Sequence, residues 1–172
     1  KRKTLPERLL QHLVHPILDG LEEVHNGGFV HRDIKPDNIY LRQDGSPVLL
    51  DFGSARVTVG AETRAMTSLV SPGFAPFEQY VTGSDKQGPW SDIYSLGATL
   101  YRGISGVQPQ DATNRGEALS YTGNDVFISA LEVGRGRYSE PFLRAVDAAL
   151  CFRYDERPQT VAEWRAMFKA KK

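Results

Sequence analysis

The chain has 172 residues, of which 40% are hydrophobic and 24% charged, and its 21 basic and 21 acidic side chains give a formal net charge of zero. This composition is typical of a globular domain and excludes a disordered chain. The balanced charge predicts neither a nucleic-acid partner nor membrane contact from this segment, and no apolar run is long enough to span a bilayer. The single cysteine, Cys151, excludes an internal disulfide and fits a reducing, cytoplasmic location; a membrane anchor, if one exists, would lie outside this segment.

The first predicted element is a long, largely buried helix. Thr4 and Glu7 have the spacing of an N-terminal capping box, and Pro6 lies in the opening turn. Apolar residues then recur with helical period from 9 to 24, in a stripe wide enough to be buried. The glycine pair that begins at Gly27 ends this helix.

The next segment is predicted to form a β-hairpin. Apolar runs at 38–41 and 48–50 flank Asp44-Gly45, a dipeptide typical of tight turns. With these two residues as the turn, Asn38 would lie opposite Asp51. Two oxygen-bearing side chains would thereby meet at the open end of the hairpin, where they could bind Mg²⁺.

The rest of the chain is predicted to contain one long irregular segment and several helices. Residues 52–89 are rich in Gly, Ser, Thr and Pro, and an irregular segment of that length is usually functional or disordered. Residues 91–104 are apolar on most faces, which predicts a central buried helix, whereas 105–124 are polar and turn-rich. Thr160 and Glu163 have the spacing of a second capping box. Short helices are predicted at three further places, 125–132, 139–151 and 160–169.

Three short motifs occur in order along the chain: HRDIKPDN at 31–38, DFG at 51–53 and PFE at 76–78. The first two resemble the catalytic loop and the metal-binding element of protein kinases. The chain is also similar to that family at its central helix, near 91–97, and at Arg157, before the last helix. The resemblance covers almost the whole chain, from about residue 5 to 168, and the stretches 74–80 and 153–164 are similar to bacterial Hanks-type Ser/Thr protein kinases. The chain thus resembles the C-terminal lobe of such a kinase. The resemblance implies a mainly α (α+β) fold, a helical bundle with a small β-hairpin at the active site.

The resemblance implies ATP and Mg²⁺ as cofactors and a protein Ser or Thr hydroxyl as acceptor. Phosphoryl transfer needs cations on the phosphates and an oriented hydroxyl. Asn38 and Asp51 carry oxygen ligands suited to Mg²⁺, and Asp33, on the loop before the same strand, is placed to accept the proton of the hydroxyl. Lys35 can neutralise charge on the phosphoryl group, and its presence is typical of the Ser/Thr members of the family.

Other positions are assigned by the resemblance alone. Ser71 stands where the family has a substrate-facing threonine, and its hydroxyl can bond to Asp33. Tyr40 stands where a smaller aliphatic residue packs under the adenine. Arg32 stands where an arginine of the family binds a phosphorylated residue of the activation segment. Thr67 is the first choice for that residue, and the other candidates are Thr58, Thr63 and Ser68.

A further group is expected to have structural roles. The ring of His31 is predicted to lie buried under the catalytic loop rather than to act as a base. Asp92 could cap a helix, but the resemblance implies that it accepts backbone hydrogen bonds from that loop. Glu78 and Arg157 are predicted to form an ion pair that ties the activation segment to the C-terminal helices. The remaining motif residues with structural roles are Phe52 and Gly53.

One departure from the family pattern concerns the start of the chain. The family places a Gly-rich loop, a strand lysine and a helix glutamate before the catalytic loop, but the 30 residues before His31 form one predicted helix. We therefore expect residues 1–172 to be the C-terminal lobe, without the N-terminal lobe that would be its partner. The 172-residue chain by itself is expected to be inactive and to self-associate through the apolar surface that the other lobe would cover.

Two other functions fit part of the pattern. A small-molecule phosphotransferase shares a catalytic Asp and Asn on a comparable loop, but Lys35, Pro36 and the long segment after DFG argue against it. A pseudokinase-like interaction module would keep the lobe for binding alone, but every catalytic position of the lobe is filled. The leading prediction is the catalytic lobe of a Ser/Thr protein kinase, which transfers the γ-phosphoryl group of ATP to protein hydroxyls.

Overall fold

Helices dominate the part of the chain that the computed structural model describes, which is residues 3–52, 56–57, 70–81 and 86–169. The helices in these ranges are α1 (Glu7–Asn26), α2 (Pro89–Ser105), α3 (Ala112–Thr122), α4 (Ala130–Gly134), α5 (Glu140–Ala149) and α6 (Val161–Phe168). The strands are β1 (Phe29–Val30), β2 (Ile39–Leu41), β3 (Pro47–Leu49) and β4 (Arg56–Val57). They pair antiparallel, β1 with β4 and β2 with β3. None of the described helices combines the length and apolar character needed to cross a bilayer.

The centre of the fold is α2, as predicted. Its residues are buried almost without interruption along its length, because α1, α5 and α6 pack around it. Two glycines permit these close contacts. A Cβ added to Gly97 would lie 2.7 Å from Ala149 Cβ, and one added to Gly103 would lie 2.5 Å from Leu10 Cδ2. The packing of the core around α2 therefore fixes the position of the side chains that this helix carries.

The amphipathic helix predicted at the start of the chain is confirmed, but its predicted capping box is wrong. The N-cap residue of α1 is Pro6, which makes no side-chain capping bond. The Glu7 carboxylate instead accepts hydrogen bonds from the backbone N–H and the hydroxyl of Ser139, both at 2.6 Å. Glu7 therefore makes a tertiary contact with the residue before α5. It does not make the local capping contact with Thr4 that the spacing predicted.

The predicted hairpin is present as β2 and β3, with a loop one residue longer than predicted. Arg42 N–H donates to Ser46 O, and Gly45 N–H donates to Arg42 O, each at 2.9 Å. The loop between the paired residues 42 and 46 therefore has three residues. Gly45 has a φ of +82°, the left-handed conformation that closes a loop of this length.

The longer loop shifts the hairpin register by one residue. Ile39 pairs with Leu49, and Leu50 N–H donates to Asn38 O at 2.8 Å. Asn38 therefore lies opposite Leu50, and the predicted pairing of Asn38 with Asp51 is wrong. Asp51 follows one position farther along, just beyond the paired residues.

The polar segment after α2 contains a helix that apolar periodicity did not predict. Only Ala112 and Arg115 of α3 are buried. Polar contacts fix the helix instead: the Asp111 carboxylate caps its start by accepting Thr113 N–H at 2.9 Å, and Arg115 forms a 2.6 Å ion pair with Asp125. A helix that is fixed by polar contacts needs no apolar residues at a period of 3.6, so its sequence lacks the pattern that predicts a helix.

The last three helices follow the predicted order. In α6, Thr160 Oγ1 accepts Glu163 N–H at 3.1 Å, which confirms the second capping bond. The start of α4 lies at Ala130 rather than at 125. Asp147, from α5, accepts the N–H groups of Ala130 and Leu131 and so determines where α4 begins.

Candidate active site

One buried carboxylate at the start of α2 holds the backbone of the loop at 31–38. Asp92 has no exposed surface, and its two oxygens accept the backbone N–H of His31 at 2.8 Å and of Arg32 at 2.9 Å. The ring of His25, at the end of α1, lies 2.8 Å from the same carboxylate. Arg32 has a φ of +74°, an unfavourable conformation that these bonds maintain. The predicted backbone contacts of Asp92 are confirmed.

The ring of His31 joins this loop to the end of the hairpin. Its Nε2 lies 3.1 Å from Leu50 O, and its Nδ1 lies 3.3 Å from the N–H of Asp33. Because a carbonyl only accepts, Nε2 carries the proton and Nδ1 is the acceptor. The ring is fully buried, and Phe52 packs on it edge to face at 4.6 Å. The predicted buried position of His31 is confirmed.

Three polar side chains converge on Asp33. Its Oδ1 accepts from Ser71 Oγ at 2.9 Å, and its Oδ2 accepts from Lys35 Nζ at 3.0 Å and from Asn38 Nδ2 at 2.9 Å. Lys35 Nζ also donates to Ser71 Oγ at 3.0 Å. Asp33, Lys35 and Ser71 therefore form a closed triangle of hydrogen bonds.

The surroundings of Asp33 favour its ionised form. Burial by itself would raise the pKa of this carboxyl, but hydrogen bonds from Lys35, Ser71 and Asn38 outweigh it, and the positive charge of Lys35 adds to them. The pKa of Asp33 therefore lies below its ordinary value of 3.8. An ionised carboxylate is the form that can accept a hydrogen bond, and then a proton, from an incoming hydroxyl.

Asn38 and Asp51 provide oxygen atoms that fit a divalent cation. The Asn38 amide nitrogen donates to both the carbonyl oxygen and the carboxylate of Asp33, which leaves its Oδ1 for a metal. Asp51 is exposed and has a φ of +62°, a left-handed conformation that Asp tolerates. An amide oxygen, a carboxylate and the oxygens of water and phosphate make the donor set that Mg²⁺ prefers.

An exposed apolar surface lies on the hairpin beside these polar groups. Tyr40 pairs with Val48, so the two side chains share one face of the hairpin. Tyr40 is 57% exposed and Leu50 is 44% exposed. The ring of Tyr40 is therefore accessible for the adenine contact predicted for it.

A second buried cluster holds the end of the segment at 70–81. Arg157 binds the Glu78 carboxylate through Nη1 at 2.7 Å and Nη2 at 3.2 Å, and Ser91 Oγ donates to the same carboxylate at 2.8 Å. Both charged side chains are nearly fully buried. The predicted ion pair is confirmed, and it joins this segment to α2 and to the chain before α6.

Three contacts at the site were not predicted from the sequence. His25 lies against the carboxylate of Asp92, Gln79 Nε2 donates to Arg32 O at 2.6 Å, and Asp111 binds the segment at 70–81. These residues belong to no periodic pattern. Only the position of Gln79, directly after the glutamate of the PFE motif, could have pointed to one of them.

Two of the predicted positions, Gly53 and Thr67, lie outside the described residues. Their roles, and the binding of a phosphorylated residue by Arg32, stay predictions. The other predicted site residues fall into three groups: the 31–38 loop with Ser71 and Asp92, the hairpin with Tyr40 and the two residues after it, and the pair of Glu78 with Arg157.

Comparison with known proteins identifies the family. The model of the protein kinase domain matches residues 1–159. The Ser/Thr protein kinase PknA of Nostoc sp. is 40% identical over 114 residues, which are 62% of this chain and 20% of that protein. PknK of Mycobacterium tuberculosis, also a Ser/Thr protein kinase, is 45% identical over 86 residues, which are 50% of this chain and 8% of that protein. The chain thus spans a fifth or less of these two relatives.

A solved structure supports the same assignment. The apo form of PpkA-294 has a TM-score of 0.78 and 32% sequence identity, over 95% of this chain and 55% of that chain. The predicted fold class, mainly helical with a small hairpin at the candidate site, is confirmed by this likeness and by the described elements. With its family match over residues 1–159 and its similarity to bacterial Ser/Thr kinases, the chain belongs to the protein kinase domain family.

Proposed function

We propose that this chain carries the phosphotransfer site of a Ser/Thr protein kinase, which moves the γ-phosphoryl group of ATP to a protein hydroxyl. The observation that carries the proposal is the carboxylate of Asp33, which accepts hydrogen bonds from Lys35 Nζ at 3.0 Å and from Ser71 Oγ at 2.9 Å. Membership of the protein kinase family supports the reaction class. The names of the relatives, all Ser/Thr protein kinases, support the type of acceptor.

The proposed chemistry assigns the proton to Asp33. Its carboxylate accepts a hydrogen bond from the incoming hydroxyl and so orients the oxygen toward the γ-phosphorus. As the new O–P bond forms and the bond to the ADP oxygen breaks, the hydroxyl proton passes to Asp33. Ser71 and Lys35 hold the carboxylate in one orientation, and the Lys35 ammonium offsets negative charge on the transferred group.

Asn38 and Asp51 are the proposed metal ligands, and Tyr40 the proposed adenine contact. Mg²⁺, when bound, would neutralise charge on the β- and γ-phosphates. The Asn38 amide oxygen would bind the metal, while its nitrogen donates to the Asp33 carboxylate at 2.9 Å. One side chain thus links the metal site to the proposed base, which favours a fixed distance between the phosphate and the acceptor.

We further propose that residues 1–172 act as a C-terminal lobe and that an N-terminal lobe covers the nucleotide. The exposed apolar side chains beside the candidate site support this, since Tyr40 is 57%, Leu41 48% and Leu50 44% exposed. The covering lobe would supply the phosphate contacts and the lysine of the family pattern. The partners of this site would then be that lobe and a protein with an accessible Ser or Thr.

The decisive experiment compares Asp33→Asn with Asp37→Asn in the full-length protein. Asp37 lies in the same loop and is exposed, so its replacement changes the same charge without touching the triangle. Asp33→Asn should lower radiolabel transfer from ATP to casein by about 10²–10⁴-fold, the range for loss of a positioned acid or base. Nucleotide affinity should change little, because positioning rather than binding is lost.

The control should keep wild-type turnover. Equal turnover in Asp33→Asn and the wild type would refute the role of Asp33. A wild-type protein that binds Mg-ATP but transfers no phosphate to itself or to casein would favour the interaction module instead.

A further inference from the structure

The segment at 70–81, which carries Ser71, rests against the loop that precedes α3. Gly73 has a φ of +81°, and a Cβ at this position would lie 2.8 Å from Gln108 Cγ and 3.1 Å from Pro109 O. No side chain fits at this contact, so only glycine allows the segment to approach so closely. The backbone from 71 to 75 forms a tight turn, in which Phe74 N–H and Ala75 N–H both donate to Ser71 O at 3.0 Å. A displacement at Gly73 is therefore transmitted to Ser71.

A single carboxylate holds this contact together. Asp111 Oδ2 accepts from the Tyr80 hydroxyl at 2.6 Å and from Gly73 N–H at 3.2 Å. Its Oδ1 accepts from the backbone N–H of Thr113 at 2.9 Å and from the Thr113 hydroxyl. One oxygen thus binds the segment that carries Ser71, and the other caps α3.

The protonation states of Tyr80 and Asp111 favour the hydrogen bond between them. Burial raises the pKa of the Tyr80 hydroxyl, and its bond to Asp111 raises it further. Burial alone would raise the pKa of Asp111, but the hydrogen bonds from Thr113, Tyr80 and Gly73 hold it below its ordinary value. The proton therefore stays on Tyr80 and the negative charge on Asp111 throughout the neutral range. A hydrogen bond to a charged acceptor is among the stronger single contacts in a protein.

We propose that Tyr80 and Asp111 are positioning residues that set the place of Ser71 beside Asp33 and thereby govern binding of the protein substrate. This inference rests on the proposed function. Asn38, a proposed metal ligand, also donates to the backbone carbonyl of Asp33 at 2.7 Å, and this bond involves neither Ser71 nor Asp111. Loss of the contact should therefore weaken the use of the protein acceptor and leave the nucleotide side of the site intact.

The test compares Tyr80→Phe with Thr113→Val in the full-length protein. Tyr80→Phe removes the hydroxyl that donates to Oδ2 of Asp111. Thr113→Val removes the hydroxyl that donates to Oδ1 of the same carboxylate. Both changes keep the size of the side chain. Three quantities are measured: the KM and kcat for casein phosphorylation, ATP hydrolysis without casein, and hydrogen–deuterium exchange of the peptide covering 70–81.

Tyr80→Phe should raise the KM for casein about tenfold, as expected for loss of a hydrogen bond to a charged group. ATP hydrolysis should stay within about twofold of the wild type, and the 70–81 peptide should exchange faster. Thr113→Val should leave all three quantities near wild type. A purely structural role for Tyr80 would lower casein phosphorylation and ATP hydrolysis in parallel, and that result overturns the proposal, as would equal KM values for the two variants.

The exchange measurement separates this inference from the proposed function. A wild-type protein without phosphotransfer refutes the proposed function and, with it, the role in substrate binding. Faster exchange in Tyr80→Phe, but not in Thr113→Val, would then still support the conclusion that Asp111 fixes the segment at 70–81. Unchanged exchange in both variants would refute that hold as well.

Discussion

Replacing Arg157 with alanine should destabilise the protein strongly, because almost every polar atom of this side chain is used in the interior. Arg157 is 3% exposed, and its guanidinium binds both oxygens of Glu78. It also donates to Cys151 O and to Phe152 O, each at 2.7 Å, and its Cζ lies 4.7 Å from the centre of the Tyr94 ring. The substitution removes all of these contacts at once.

The size of the effect follows from what stays behind. Glu78 is 4% exposed, and among the described residues its carboxylate would retain only the hydroxyl of Ser91 as a partner. Removing one member of a buried ion pair costs about 3–5 kcal/mol of unfolding free energy, since the other charge is left unpaired. In a domain of this size, each kcal/mol lowers the melting temperature by about 2–4 °C. We therefore expect a fall of roughly 6–20 °C.

Arg153 provides the matched control. It also forms a 2.6 Å ion pair, with Asp155, but its side chain is 65% exposed. Exposed pairs contribute little because water and salt screen them, so Arg153→Ala should melt with the wild type. Thermal unfolding followed by far-UV circular dichroism measures both variants. Equal melting temperatures for Arg157→Ala and Arg153→Ala would show that burial of the Glu78 pair contributes no stability.

Two further predictions concern Asp33 and the chain by itself. Because the pKa of Asp33 is lower in the folded state than its ordinary 3.8, its stabilising contribution is present above 3.8 and is lost as the pH falls through the folded value. Urea unfolding should therefore show a smaller loss of stability in acid for Asp33→Asn than for the wild type, and parallel curves would contradict this. The 172-residue polypeptide alone should self-associate, bind Mg-ATP weakly and show no autophosphorylation. Without the proposed N-terminal lobe, its site would be open to water and would not enforce the reactive geometry. Tight calorimetric binding with turnover would contradict that prediction.

The hairpin shows both the reach and the limit of sequence-based prediction. Two short apolar runs and the Asp44-Gly45 dipeptide between them were enough to predict the two strands and the turn. The same dipeptide fits a two-residue turn and a three-residue loop with glycine in the left-handed position, and the structure has the second. A difference of one loop residue moved the partner of Asn38 from Asp51 to Leu50. Spacing predicted which residues approach one another but not their register.

Contacts between distant segments could be predicted only where the residues belong to stretches that resemble the family. The HRDIKPDN motif led to Asp33 and Asn38. The resemblance at the central helix led to Asp92, and the Glu78 pair followed from the same resemblance. Asp111 went unnoticed because it begins a helix with almost no apolar face, and its bond to Tyr80 joins residues 31 positions apart. Glu7 was misassigned for a related reason, since a partner 132 positions away took the place of a local one.

The attachment of the 31–38 loop to Asp92 has a consequence for how the protein responds to heat. A carboxylate in the first turn of α2 maintains the unfavourable backbone conformation of the loop at Arg32. The core is built around this helix. The loop cannot relax while that helix stays in place, and it cannot keep its shape once the helix moves. Loss of the proposed phosphotransfer activity on heating and global unfolding should therefore follow one curve, without a temperature range in which the core is folded but the 31–38 loop is disordered. Substitutions that stabilise the packing around α2 would then raise the upper temperature of activity by the same amount as the melting temperature.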